Sequence, residues 1–375
     1  MQLSNFPVTR SLKSRLDQVD FSNPGFGKVF SDHMFQMVYA DGDWKQPEIV
    51  PYGPMEMEPG VAMLHYGQTV FEGFKAFRGV DGKIRIFRPD KNAQRFAKSC
   101  ERLCIPMLNE KTLTELMIQA SRELVALDHQ WVPPNFGQAL YMRPLVIGTE
   151  ATLEVRAATS YRFMIMTSPV GGYFQGVQGG VSLKVEEQFT RAASVGGLGA
   201  AKTAANYAAG MLPTATSRAE GYDQVLWLDG NEHKYVEEVG AMNIFFKING
   251  TVVTPQLSNS ILPGVVRDSV LTLLKDQGQA VEERRIAIAE VAEAARTGKL
   301  EEVFCSGTAA VISPVERFGY QGEELRVNDP VPGPLTRQLY DKITGLYYGQ
   351  EVDTHGWLVD VPLAEPVAAV LPAPV

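Results

Sequence analysis

The stretch DQVLWLDGNEHKYVEEVGAMNIFFKINGTVVTP, residues 223–255, carries three apolar runs separated by Asp229-Gly230 and Asn249-Gly250. Such dipeptides between apolar runs signal hairpins, because a type I′ turn needs two consecutive residues at positive φ. Strands joined this closely pair antiparallel, since a parallel crossover needs a dozen or more connecting residues. The stretch therefore predicts a three-stranded antiparallel meander and argues against a doubly wound parallel sheet. The same signal occurs twice earlier, as Asp41-Gly42 in YADGDW and Asp81-Gly82 in FRGVDGKIRIF, both read as type I′ turns.

Helical spacing in NAQRFAKSCERLCI and EKTLTELMIQASRELVAL makes the chain α+β. YRFMIMTSP reads as a buried strand, and EEVFCSGTAAVISPV as a strand-and-turn unit. ILPGVVRDSVLTLLKDQG reads as a helix with Pro263-Gly264 at its mouth, Val266, Val270, Leu273 and Leu274 on one face, and Gly278 as its stop. VGGYFQGVQGG, with five glycines from Gly171 to Gly180, has neither period and reads as a linker. These signals divide the chain into a smaller α+β domain at residues 1–168, a linker at 169–181 and a larger domain at 182–360. Residues 361–375, rich in Pro, Ala and Val, read as a disordered tail.

Composition removes several classes of function. A net charge of −8 without a Lys/Arg run disfavours nucleic acid and anionic membranes as partners. No apolar run reaches the roughly 18 residues of a membrane span, and the N-terminal segment lacks the apolar region of a secretory signal. Asp17 and Asp20 count against an organelle transit peptide, so the expectation is a cytoplasmic protein. Cys100, Cys104 and Cys305 make no disulfide framework, and with five histidines they show no metal-ligand spacing. Cys100 and Cys104, four apart in a helical pattern, read as small buried hydrophobes.

GGLGAAKTAANYAAG, residues 196–210, sets Lys202 among glycines and alanines. It misses the P-loop pattern by one residue, Ala201, and VLWLD ending at Asp229 imitates the acid-bearing strand of such enzymes. Context weighs against a nucleotide loop. The preceding EEQFTRAASV is polar, Pro213 interrupts the following helix, and Asp229 runs directly into Gly230. A lysine forming a Schiff base with pyridoxal phosphate needs a desolvated amine, a carboxylate for the pyridine nitrogen, a phenol for the ring oxygen and a helix N-terminus for the phosphate. Glu238, Tyr207, the amides of Val265 and Val266 behind Gly264, and the Thr308 hydroxyl supply one candidate each. Glu237, beside Glu238, reads as a solvated strand carboxylate.

GGLGAAKTAANY, EEVGAMNIFF, ILPGVVRDS and FCSGTAA resemble the signature blocks of branched-chain amino acid aminotransferases, in the fold-type IV group of pyridoxal phosphate enzymes. GFGKVFSDHMF, LHYGQTVFEGFKAFRG, IRIFRPDKNAQRF and YMRPLVIGTE resemble that family too, so the match runs from about Phe26 to Trp357. The resemblance implies the two-domain class IV fold, with antiparallel-rich sheets, and a homodimer in which Leu153 and Val155 approach the partner's pocket. It also implies pyridoxal phosphate on Lys202, with Glu238, Tyr207, Arg95, Val265, Val266 and Thr308 around it. Phe26, Tyr66, Phe71, Tyr141 and Tyr173 would line the side-chain pocket, with Tyr173 on a linker acting as a lid. Arg143 would meet a distal carboxylate, and the backbone near Ala241 and Ala309 an α-carboxylate. The activity implied is reversible amino transfer from leucine, isoleucine or valine to 2-oxoglutarate. Two departures stand out: Ala241 replaces a threonine common in relatives, and Ala310-Val311-Ile312-Ser313 lacks the cysteine pair of some animal members. D-amino acid aminotransferase, aminodeoxychorismate lyase, P-loop NTPase and a non-enzymatic binder are the alternative readings of the sequence.

Overall fold

The computed structural model describes residues 6–172, 179–328 and 330–363. Among these residues the strands form two nine-stranded sheets. In the first, the path runs Leu358–Val361, Ile84–Phe87, Phe74–Arg78, Ala139–Gly148, Tyr161–Val170, His33–Ala40 and Asp43–Trp44, all antiparallel. Glu48–Pro51 pairs alongside His33–Ala40, and Thr69–Phe71 alongside Ala139–Gly148. In the second, the order is Val236–Val239, Gln224–Leu228, Val181–Val185, Val311–Tyr320, Leu300–Gly307, Asn243–Ile248, Thr251–Pro255 and Val281–Arg284, with Glu323–Arg326 on Val311–Tyr320. Three of its pairings are parallel and the rest antiparallel. The antiparallel-rich α+β reading holds.

The local signals succeed where the turn is short. Asp41-Gly42 and Asn249-Gly250 each hold two positive φ values, as a type I′ turn requires. The other two hairpins form with different turns. Asp81 does not take positive φ, and residues 79–83 make a longer loop between Arg78 and Ile84. Residues 229–235 span the next hairpin because the Asp229 carboxylate accepts the amides of Asn231, Glu232, Lys234 and Tyr235.

The predicted three-strand meander is corrected. Val236–Val239 pairs with Gln224–Leu228 at one end of its sheet, whereas Asn243–Ile248 pairs with Leu300–Gly307 towards the other. Backbone pairing between the two is limited, among the described residues, to the Val239–Met242 bridge across the tight turn at Gly240. The boundaries also move. The strand before the linker continues to Val170, and Leu358–Val361 pairs at the edge of the first sheet, not in the second. The remaining tail, 364–375, lies outside the described residues.

Three helices place the site. Pro89–Arg102 and Glu110–Leu127 cover the first sheet, the latter capped by the Asn109 side chain on the Thr112 amide. Cys100 is buried there, but Cys104 lies past the helix end, exposed and at positive φ, because the helix stops at Arg102. Val265–Asp276 starts behind Gly264 and buries Val266, Val270, Leu273 and Leu274, as its spacing predicts. Those side chains join Phe77, Phe87, Phe245 and Phe304 in an apolar cluster that ties the two sheets together. The functional residues lie around this junction.

Candidate active site

Lys202 sits on a loop that backbone contacts hold on both sides. Its amide donates to Ser99 Oγ (2.9 Å), and its carbonyl accepts the Phe71 amide (3.0 Å). The small residues before it have a packing reason: a Cβ at Gly199 would lie 2.3 Å from the Ser260 carbonyl oxygen, and one at Gly197 2.2 Å from that of Ala193. The helix after Lys202 is short, Ala204–Ala208, and a second begins at Met211. The break falls at Gly210, so Pro213 lies inside the first turn of the second helix, where proline is tolerated. No strand runs directly into the lysine, so the nucleotide-loop geometry is not present.

The Lys202 side chain is half-buried. Its Nζ donates to Tyr207 Oη at 2.7 Å and stands 4.8 Å from the Phe71 ring centroid. Phe71 and Tyr207 pack at 4.8 Å, and the Arg143 guanidinium lies 4.8 Å from the Phe71 ring centroid. Arg143 also donates to Tyr141 Oη (3.2 Å), and Tyr141 packs edge-on against Phe26. Phe26, Phe71, Tyr141, Arg143, Lys202 and Tyr207 are thereby one cluster.

Glu238 is buried. Its Oε1 accepts from Asn243 Nδ2 (3.1 Å) and the Leu262 amide (3.2 Å). Arg191 Nη2 lies 2.5 Å from Oε2, yet its N–H groups are directed to the carbonyls of Gly199 and Ser260. Glu238 Oε2 is left without a hydrogen bond. Burial raises the carboxyl to about 7, with Arg191 and the Leu262 amide opposing the rise. A buried acceptor of this kind fits a pyridine N–H.

The third element is the mouth of the Val265–Asp276 helix. Val265, Val266 and Thr308 line one recess with Lys75 and Asn92. The first-turn amides have no carbonyl within their own helix, so the recess suits an anion. Gly264 is required here for a reason other than ligand access: a Cβ would lie 2.0 Å from Asn243 Oδ1. Arg95 reaches the same mouth and donates to the Pro263 carbonyl (2.9 Å). Its Nε and Nη2 grip Glu72 at 2.7 and 2.9 Å, so three of its five N–H groups are engaged. Burial pushes the Glu72 carboxyl up, but the Arg95 guanidinium more than offsets it and holds the group below the usual carboxylate range.

Known proteins of one family are similar to this chain over most of its length. Residues 69–318 match the family model described as amino-transferase class IV. Branched-chain-amino-acid aminotransferase 2 of Bacillus subtilis is 49% identical over 337 residues, 90% of this chain and 92% of the relative. The branched-chain-amino-acid aminotransferase of Mycolicibacterium smegmatis is 46% identical, covering 94% and 95% of the two chains. The crystal structure of the Escherichia coli branched-chain amino acid aminotransferase superposes with a TM-score of 0.70 at 27% identity, over 87% of this chain and 99% of that one. That of the T.th. enzyme with pyridoxamine 5′-phosphate gives 0.69 at 26%, over 87% and 98%. The chain belongs to the branched-chain aminotransferases of class IV.

In this transaminase several expected residues stand apart from the cluster. Tyr66 is exposed, its hydroxyl bonded to the Leu153 carbonyl on a surface loop. Ala241 is exposed in the Gly240 turn, and Tyr173 lies outside the described residues. Ala309 is half-buried, and its carbonyl accepts Lys75 Nζ (2.9 Å).

The sequence reading missed Glu72, Lys75, Arg191, Asn243 and Ser260. Glu72 and Lys75 sit in the FEGFK block, but nothing local marks them as wholly enclosed. Burial alone lowers the Lys75 amine to about 7. Glu237 is corrected: it is buried, not solvated, because every residue of Val236–Val239 is covered on its own face. Burial raises its carboxyl, against the Ser260 hydroxyl and Arg191.

Proposed function

We propose that this enzyme transfers the amino group of leucine, isoleucine or valine to 2-oxoglutarate, reversibly, using pyridoxal phosphate attached at Lys202. The observation carrying the proposal is the Lys202 amine, 2.7 Å from a phenol oxygen, in a site that also holds the unbonded Glu238 Oε2. The solved T.th. relative with pyridoxamine 5′-phosphate supports the choice of cofactor. When bound, the cofactor supplies an aldehyde carbon that takes up the amino group and a ring that accepts electrons from it.

The chain's own residues supply the rest. Lys202 Nζ is the base that takes the substrate's α-proton and then the acid that returns it on the cofactor side. Tyr207 Oη holds the lysine and meets the ring oxygen. Glu238 Oε2 accepts the ring N–H. The Val265 and Val266 amides, the Thr308 hydroxyl and the two remaining N–H groups of Arg95 hold the phosphate. Phe26, Phe71 and Tyr141 select an apolar branched side chain by shape. Arg143 offers a cation to the distal carboxylate of 2-oxoglutarate, and the backbone at Ala241 and Ala309 holds the α-carboxylate. Tyr66, Leu153 and Val155 are exposed, with the Tyr66 hydroxyl on the Leu153 carbonyl, which supports a homodimer in which they approach the partner's pocket.

The test is a visible spectrum of the purified protein with added pyridoxal phosphate, followed by borohydride reduction and mass mapping. An absorbing species and an adduct on Lys202 are expected, with turnover of leucine, isoleucine and valine against 2-oxoglutarate. No adduct on Lys202 refutes the cofactor reading, and turnover of D-alanine in preference to leucine refutes the substrate reading.

A further inference from the structure

A cavity of 460 Å³ adjoins the mouth of the Val265–Asp276 helix, and the mechanism above does not use it. Of the residues assigned to the cofactor, Arg95 and Val265 line it, whereas Lys202, Tyr207, Glu238, Val266 and Thr308 do not. It is thus a neighbour of the recess that Val265, Val266 and Thr308 form with Lys75 and Asn92, not that recess itself. One face of Pro89–Arg102 contributes Lys91, Arg95, Lys98 and Arg102, four cations at helical spacing. Arg267 adds a fifth from the first turn of Val265–Asp276. Asp268 is the one acid among the described lining residues, and Arg88 already holds it at 2.7 Å.

So basic a lining is unusual for a chain of net charge −8. Arg95 and Arg267 have acid partners, Glu72 and Glu283, neither of which lines the cavity. Lys91, Lys98 and Arg102 have no acid partner among the described residues. Lys91 meets the neutral Gln94 Oε1 (3.3 Å), Arg102 meets the Gly196 carbonyl (3.0 Å), and Lys98 makes no hydrogen bond there. Exposed lysines alone would be an ordinary helix surface, but here a fixed cation stands with them. Arg267 is 3% exposed and spends only Nη2, on the Pro255 carbonyl and Glu283, both at 2.9 Å. Its Nε and Nη1 make no hydrogen bond among the described residues and are left to the cavity it lines. Ala200, Ala201, Leu257 and Pro263 add a small, apolar surface to the same space.

We propose that this cavity is a second anion site, for a small organic phosphate carrying at least two negative charges. Lys91, Lys98 and Arg102 supply the uncompensated positive charge, and guanidinium N–H groups match phosphate oxygens in pairs. The surface of Ala200, Ala201, Leu257 and Pro263 takes the carbon body, so a bare inorganic anion uses less of the site. A volume of 460 Å³ suits such a molecule, since small-molecule sites run from roughly 300 to 1,000 Å³. The site is independent of the cofactor reading, because none of the three free cations is assigned to that group.

The experiment is calorimetric titration of the enzyme with ADP as probe, after borohydride has fixed the cofactor on Lys202 and so filled its phosphate recess. One ADP per chain is expected at low salt, with affinity falling as salt rises. Pyrophosphate should bind more weakly, and adenosine not at all. A Lys91→Glu/Lys98→Glu variant should bind ADP at least roughly tenfold more weakly, because two attractions become repulsions. Its leucine turnover, measured before reduction, should be unchanged. No ADP binding, equal binding of adenosine, or full affinity in the variant overturns the proposal. So does ADP binding that is lost once the cofactor is fixed, since the probe then occupied the cofactor's own recess. Pyrophosphate binding as tightly as ADP overturns the role of the apolar surface. If no adduct forms on Lys202, the cofactor reading fails instead, and ADP titration of the untreated protein and the variant still decides the cavity.

Discussion

Removing the Glu72 side chain, as Glu72→Ala, perturbs the site without touching the substrate pocket. The carboxylate is fully buried, and four donors converge on it: Arg95 Nε at 2.7 Å, Arg95 Nη2 at 2.9 Å, Asn92 Nδ2 at 2.8 Å and the Gly73 amide at 3.1 Å. Truncation leaves Arg95, itself buried, with the Pro263 carbonyl as its remaining acceptor. Breaking a buried pair from one side costs about 3–5 kcal/mol, chiefly because a charge stays enclosed without its partner. Replacing both residues by methionine should cost much less, since no unpaired charge remains. The sign with pH follows from the depressed Glu72 value. Its contribution is present above the ordinary 4.5 and is lost as pH falls through the lower folded value. Urea midpoints at matched slope, compared across pH, measure this. A loss below about 1 kcal/mol at neutral pH, or a Glu72→Met/Arg95→Met double variant no better than Glu72→Ala, refutes the reasoning.

Gly264→Ala should drive Asn243 off Glu238, because the new Cβ would stand 2.0 Å from Asn243 Oδ1. Losing a hydrogen bond to a charged group costs about 1.5–3 kcal/mol, so pyridoxal phosphate should bind roughly tenfold or more weakly. In a cycle with Asn243→Ala the two losses should be strongly non-additive, and simple additivity counts against this route. Gly73→Ala places a Cβ 1.8 Å from Tyr141 Oη, and overpacking of about 1–3 kcal/mol, if felt in the transition state, should lower kcat/KM for leucine roughly 5- to 150-fold. Unchanged kcat/KM would show that Tyr141 does not wall the pocket. Lys75 has a depressed folded value of about 7 against the ordinary 10.5, so the unfolded chain binds more protons between them. Stability relative to Lys75→Met should therefore rise with pH across that window, and parallel curves exclude a buried amine.

What the sequence disclosed is what short-range chemistry encodes. Asn249-Gly250 makes its turn because both residues tolerate positive φ, and no distant contact changes that. The Glu110–Leu127 helix and the buried face of Val265–Asp276 follow their apolar spacing. Lys202 and Tyr207 meet because they lie five positions apart across the start of the short Ala204–Ala208 helix. Asp229-Gly230 looked like the same turn code but was not, since the Asp229 side chain organises a seven-residue loop instead. That outcome depends on which amides the rest of the fold leaves unpaired.

The contacts that give the site its electrostatics are long-range, and this is why they were not legible. Arg95 meets Glu72 across 23 positions, and Arg191 meets Ser260 across 69. The pair Glu237-Glu238 is the sharpest case. Alternation along a strand sends neighbouring side chains to opposite faces, and in a sheet open on one side one of them reaches water. Here the Ser258–Ser260 turn and Arg191 close the second face, so both acids are buried. The glycines before Lys202 let that turn approach: Gly199 contacts the Ser260 backbone where any side chain would collide. The small residues around the lysine thus serve the carboxylates as much as the amine. They bring Ser260 and Arg191 within reach of Glu237 and Glu238, and through Glu238 they shape the site itself.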